Sequence, residues 1–221
     1  MSIRMGIYDF FAYTIPGGLY LLAALYVITR LTPLNIDLMR ASIVQALFFA
    51  IASYVIGIVL DPLAKYLWYA RFEPEDVLSE VRAEMNKRND QISFPDVKID
   101  WYVLLAYIRR HNMDMAVEIE RFKTIEIMMR NVSFALLLYA ALPIIDLIAY
   151  GYSTWQGLFA LGSLLGCILA VKQALKFDKW FYAGIFETVA ALELKPEHIP
   201  IELIDTSQLA AKGGPQSAKK D

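Results

Sequence analysis

Four apolar runs, 10–29, 41–60, 132–150 and 155–171, decide what this chain can fold into. Each is about 17–20 residues long, the length that carries an α-helix across a hydrocarbon core of about 30 Å at roughly 1.5 Å per residue. In lipid every backbone N–H and C=O must find its partner inside the protein, and a single apolar run achieves that only as a helix. The expected fold is therefore all-α, a polytopic membrane protein with four transmembrane helices. Apolar residues make up 57% of the chain, against a usual share of about 45–50%, and the excess lies in these runs.

Between the second and third runs lie about 70 residues rich in charge. That is enough for a small helical module and too little for a large core of its own. The predicted organisation is an interfacial segment 1–14, transmembrane helices one and two within 15–68, and a cytoplasmic helical module 69–130. Helices three and four follow within 131–174, then an amphipathic and extended cytoplasmic segment 175–205 and a disordered tail 206–221. Arg4 is the one early basic side chain, Asp9 stands at the start of the apolar run, and Pro16-Gly17-Gly18 interrupts it. With no clean small-x-small cleavage site, the first run is expected to stay as an anchor.

Basic residues set the expected orientation. Lys65 and Arg71 follow the second run, Arg121, Lys123 and Arg130 precede the third, and Lys172, Lys176 and Lys179 follow the fourth. The other connections carry only Arg30 and Arg40, and none at 151–154. The positive-inside rule then places both termini and the central module in the cytoplasm. Tyr150, Tyr152 and Trp155 supply an outer aromatic belt, and Trp68, Tyr69 and Trp180 an inner one. With a net charge of −2, no general nucleic-acid-binding surface is expected. The single cysteine, Cys167, forms no internal disulfide and suits packing.

Local signals refine this outline. Pro16 is expected to open the first span, with Thr14 or Ile15 just outside it and Gly17 and Gly18 admitting a close backbone. Asp61 is expected to cap a new helix beginning at Pro62, with Lys65 within its reach. Pro74 opens a helix with Val77, Leu78, Val81 and Met85 on one face; Asn89-Asp90 and Pro95-Asp96 mark turns. Asp100 caps a helix from Trp101 to about Arg110. From Asp114 to Leu142 there is neither proline nor glycine, which predicts one helix running from the module into the third span. Its stripe of Met115, Ile119, Phe122, Ile125 and Met129 is a candidate interaction surface for the module helices, a second subunit, or both. Beyond Lys172, the face of Phe177, Trp180, Phe181 and Ile185 suits a helix along the inner leaflet.

No residue pattern points to an enzyme. His111 and His198 have no partners at zinc spacing, and nucleophile elbow, phosphate loop and dinucleotide fingerprint are all missing. No catalytic residue, cofactor or metal is expected. His111 suits a helix C-terminus, where a cation meets exposed carbonyls. The intramembrane polar candidates are Asp146 and Asp61. An aspartate deep in the bilayer costs about 2.5–3.5 kcal/mol on insertion scales. Beside the Pro143 kink, Asp146 lines a polar passage or an oligomer axis, or it lies near enough to the surface to reach water. Asp9 and Asp61 belong at the inner boundary. Gly162, Gly166 and Ala170, four residues apart beside Ser163 and Cys167, form a small-residue face; Ser53 and Gly57 form a shorter one. Such faces pack helices within one subunit or between subunits.

The stretch Tyr8-Asp9-Phe10-Phe11-Ala12-Tyr13-Thr14-Ile15-Pro16-Gly17-Gly18 resembles the opening of a group of small bacterial inner-membrane proteins. The helix entry Arg130-Asn131-Val132-Ser133 is similar too. Some of that group resemble membrane components of anti-phage systems, such as the membrane subunit of Kiwa. The resemblance implies a homo-oligomeric inner-membrane sensor or effector whose cytoplasmic helices receive a protein partner or signal, with the lipid bilayer as its other partner. A small channel or transporter subunit using Asp146, and a membrane anchor that recruits a soluble partner, are the competing readings.

Overall fold

Helices account for all the regular structure among the described residues of the computed structural model, which are 3–32, 42–72, 74–88, 101–150 and 153–192. They are α1 (Ile3–Leu31), α2 (Ile43–Tyr69), α3 (Pro74–Arg88), α4 (Trp101–His111), α5 (Met113–Tyr150) and α6 (Thr154–Ala191). Four of them, α1, α2, α5 and α6, contain stretches long and apolar enough to cross a membrane. The turn signals within 89–100, the Asp100 cap, the extended stretch and the tail lie outside the described residues.

Side-chain contacts give the direction of each helix. Thr124 donates to Asp9 and Tyr26 donates to Asp146, so α1 and α5 run parallel. Lys123 meets Asp178 while Tyr139 meets Phe159, so α5 and α6 run antiparallel. Gly17 lies against Ser53 and Tyr13 against Gly57, so α1 and α2 run antiparallel. The start of α1, the end of α2, the start of α5 and the end of α6 therefore share one end of the bundle, and α3 and α4 sit there.

α5 and α6 have 38 residues each, about 57 Å of helix, nearly twice the roughly 30 Å of a hydrocarbon core. The surplus builds a second core. Val77, Val81 and Met85 of α3 and Leu104, Leu105 and Ile108 of α4 close over Ala116 and Ile119 of α5. Phe181, Tyr182, Ile185, Phe186 and Val189 of α6 complete it. Trp101 lies against Phe181 and Tyr182, with ring centroids 5.2 and 4.7 Å away. The aromatic stretch after Lys172 is thus not a leaflet-hugging helix. It continues α6, and its apolar face is covered by α3, α4 and α5, leaving Trp180 at 43% exposure. Trp68, expected in the inner belt, is buried against Phe72.

Two further expectations fail at prolines. Pro16 lies inside α1 and Pro62 inside α2. Residues 3–14 are thus continuous with the first span, and no new helix starts at Asp61. Pro143 is likewise interior to α5. Proline removes one backbone donor and crowds the carbonyl four residues back, but packed membrane helices tolerate it where neighbours meet the freed group. Outside the module, the exposed side chains of the long helices are largely aliphatic. Leu47, Phe48 and Val59 on α2 and Leu161, Leu165 and Leu169 on α6 face outward, as a lipid-facing surface does. α2 starts with a full capping box: Gln45 N–H donates to Ser42 Oγ at 3.3 Å, and Ser42 N–H donates to Gln45 Oε1 at 2.7 Å.

Candidate functional site

α5 carries a polar layer at each end of its apolar stretch. At the module end, the i, i+3 and i, i+4 spacings of Lys123, Glu126 and Arg130 place them along one face. Neighbouring helices extend this row into a chain of charges. Lys123 Nζ lies 2.8 Å from Asp178 Oδ1 of α6 and 3.1 Å from Glu126 Oε2. Arg130 donates through Nη1 to Glu126 Oε1 at 2.9 Å and through Nη2 to Asp61 Oδ1 of α2 at 2.8 Å. Asn131 Nδ2 donates to the same Asp61 oxygen at 2.9 Å. Glu126, Arg130, Asn131 and Asp178 are all buried. Three carboxylates and two cations leave one net negative charge in the chain. α1 joins through Asp9, which accepts from Thr124 Oγ1 at 3.3 Å, and through Tyr20, which donates to the Asn131 carbonyl at 2.8 Å.

The second layer is at the far end. Asp146 is 3% exposed. It does not stand alone, because Tyr26 donates to Oδ2 and Arg30 Nε lies 3.3 Å from Oδ1. Sixteen residues separate Arg130 from Asp146, about 24 Å along a helix, a little less than the hydrocarbon thickness of about 30 Å. The two layers therefore bracket the apolar part of the bundle.

The other candidates fall in different places. Ser53 and Gly57 form the contact with α1, where a Cβ on Gly57 would overlap the Tyr13 carbonyl. Gly166 faces Leu136 of α5, whose Cδ1 would lie 3.2 Å from an added Cβ, and Ala170 is buried. Around Gly162, no heavy atom among the described residues lies within 4 Å of the position its Cβ would take. Along the stripe of Gly162, Gly166 and Ala170, the last two are thus packed and Gly162 meets open space. Met115 is 39% exposed, Ile119 is buried beneath Gly184, and Phe122 packs on Phe177 and Trp180. Asp61 is a charge partner rather than a cap, and Lys65 lies over the Tyr69 ring. His111 ends α4, with Nδ1 2.9 Å from the Tyr107 carbonyl. Among the described residues no group of His, Cys, Asp and Glu is arranged to hold a metal.

The sequence reading missed the charge chain. Its signal was the Lys123, Glu126, Arg130 spacing, together with one acid, Asp178, set between Phe177 and Lys179. The module also carries a groove of about 410 Å³ between α3, α5 and α6. Phe122, Met85 and Trp180 line it, with Glu80, Glu84, Glu187 and Lys179 as its charged groups; Lys179 lies 2.6 Å from Glu80.

These features define an all-α, multi-pass membrane protein. Two of its membrane-crossing helices also build a compact module at one end. Comparison with protein-family models, with curated proteins and with solved structures finds no match.

Proposed function

We propose that the protein is a homo-oligomeric sensor or effector of the bacterial inner membrane, acting in anti-phage defence. In this reading the module and both termini face the cytoplasm. A partner engages the module, and α5 and α6 carry the response into the bundle. The observation that carries the proposal is the charge chain. It ties the module end of α6, through Asp178 and Lys123, to Glu126 and Arg130, and from there to Asp61 of α2. Rigid helices and ion-pair networks can carry coupling between distant parts of a protein, and two long helices joined by buried ion pairs offer such a route. The groove on the module mixes apolar side chains with three carboxylates and one ammonium, which suits a partner surface that is both basic and apolar.

Two measurements test the proposal. Light scattering in mild detergent gives the assembly state, and phage plating on cells with and without the gene gives the role. A monomeric particle together with unchanged plating would end this reading. Labelling of intact cells tests the orientation: a cysteine placed at Gly151 should react with an impermeant reagent and one at Asp90 should not.

A further inference from the structure

One face of α6 changes character along its length. Ala170, Ala174, Asp178 and Phe181 are buried on one side of the helix. Leu165, Leu169, Lys172, Lys176 and Trp180 are exposed, and their three- and four-residue steps set them in a line on the opposite side. The line runs from aliphatic side chains through two ammoniums to an indole. Its depth follows from the contacts of α5. Asp178 lies level with Lys123, at 2.8 Å, and Arg130 stands seven residues from Lys123, about 10 Å nearer the bilayer centre. Lys176 is two residues and Lys172 six residues from Asp178 toward the bilayer, so both fall between the levels of Lys123 and Arg130. That is the edge of the apolar part of the bundle, where phospholipid headgroups form a layer of about 5–8 Å.

The two ammoniums carry charge that the protein does not answer. Lys176 Nζ lies over the Trp180 ring, 4.6 Å from its centroid, and among the described residues neither lysine has a carboxylate partner. The acids of α6 are elsewhere. Asp178 is buried against Lys123, and Glu187 lies eleven residues beyond Lys176, about 16 Å along the helix. Like charges four residues apart on a helix repel, and an anion between them turns that repulsion into attraction. Both lysines are exposed, so an anion reaches them from the bilayer surface without rearrangement. On the bilayer side of them, Leu169 and Leu165 offer the aliphatic surface that a hydrocarbon chain covers.

We propose that this face of α6 binds an anionic phospholipid. Its phosphate lies between the Lys172 and Lys176 ammoniums, Trp180 sits beside the headgroup as tryptophans do at that depth, and one acyl chain runs along Leu169 and Leu165. The assignment rests on the membrane-crossing course of α6 and not on the signalling role.

The test uses the full chain in mild detergent, equilibrated with equal amounts of phosphatidylglycerol and phosphatidylethanolamine. Retained lipid is then counted by mass spectrometry. A lysine near a lipid surface favours anionic lipid by about fivefold, so two should give the wild type a preference for phosphatidylglycerol of about twenty-five-fold. Lys172→Gln and Lys176→Gln should each lower that ratio about fivefold with the melting temperature unchanged, and Lys176→Arg, which keeps the charge, should preserve it. Lys65→Gln removes the same charge from α2, outside this face, and should leave the ratio as it is. Water-soluble glycerophosphoglycerol should fail to displace the lipid. Equal retention of the two lipids by wild type, a ratio unmoved in both α6 glutamine variants, or an equal fall in Lys65→Gln would overturn the site. Displacement by the soluble head alone would overturn its assignment to a lipid.

Discussion

Arg130 of α5 reaches Asp61 of α2 at 2.8 Å while its other terminal nitrogen holds Glu126 at 2.9 Å. One buried guanidinium therefore bridges two carboxylates on different helices. Removing one member of a buried ion pair leaves the rest uncompensated, at about 3–5 kcal/mol. Arg130→Met should destabilise the protein by about that amount, read as a fall in the thermal midpoint in detergent. Arg130→Lys keeps the charge but not the planar fork that bridges both acids, so it should recover only part of the loss. An unchanged midpoint in Arg130→Met would show that the charge chain contributes nothing to the fold.

Gly17 and Gly18 are neighbours with opposite tolerance. A Cβ on Gly17 would overlap the Ser53 carbonyl and press on the Gly57 nitrogen, all backbone atoms; on Gly18 it would meet Ser53 Oγ at 3.5 Å, an ordinary contact. Overpacking against side chains costs about 1–3 kcal/mol, and backbone has less room to yield. Gly17→Ala should therefore lose at least that much stability, whereas Gly18→Ala should stay within about 0.5 kcal/mol. Melting curves of the two variants decide the matter, and equal behaviour would contradict the α1–α2 contact.

The burial of α6 inside the module is equally open to measurement. Ile185 is 2% exposed within the core shared by α3, α4, α5 and α6. Ile185→Ala should cost about 2–5 kcal/mol, the range for truncating a core aliphatic side chain. It should also speed amide exchange in α3 and α4. A helix lying on the leaflet would not transmit the change to α3, so unaltered exchange there would contradict the packing.

What the sequence made legible follows from the range of each signal. The four membrane-crossing helices are local facts, written in runs of apolar residues. So is the unbroken course of α5, since no glycine or proline falls between Asp114 and Leu142. Prolines misled because their effect depends on surroundings: Pro16 is almost wholly buried, and its neighbours hold α1 helical on both sides of it. The charge chain was hidden for another reason. Lys123 and Asp178 are 55 residues apart, and Asp61 and Arg130 are 69 apart. Spacing within one helix shows that Lys123, Glu126 and Arg130 share a face, but not which face of another helix meets them. The second half of α6 carries the aromatic periodicity of a surface helix, and only the packing of α3 and α4 distinguishes a buried face from one laid on lipid.

Gly162 and Gly166 separate assembly from folding. Gly166 touches Leu136 across the α5–α6 contact, whereas the space outside Gly162 is open. Gly166→Leu should disturb the subunit itself, by about 1–3 kcal/mol of overpacking. Gly162→Leu places its side chain outward, so the melting temperature should hold. If copies of the protein associate through this face, as a small residue permits between membrane helices, then Gly162→Leu should shift the particle toward smaller assemblies in light scattering while its helicity and melting stay those of the wild type. Gly166→Leu should instead lower the melting temperature whatever the assembly state. An oligomer unchanged by Gly162→Leu would exclude this face as the contact and direct the search to the exposed aliphatic side of α2.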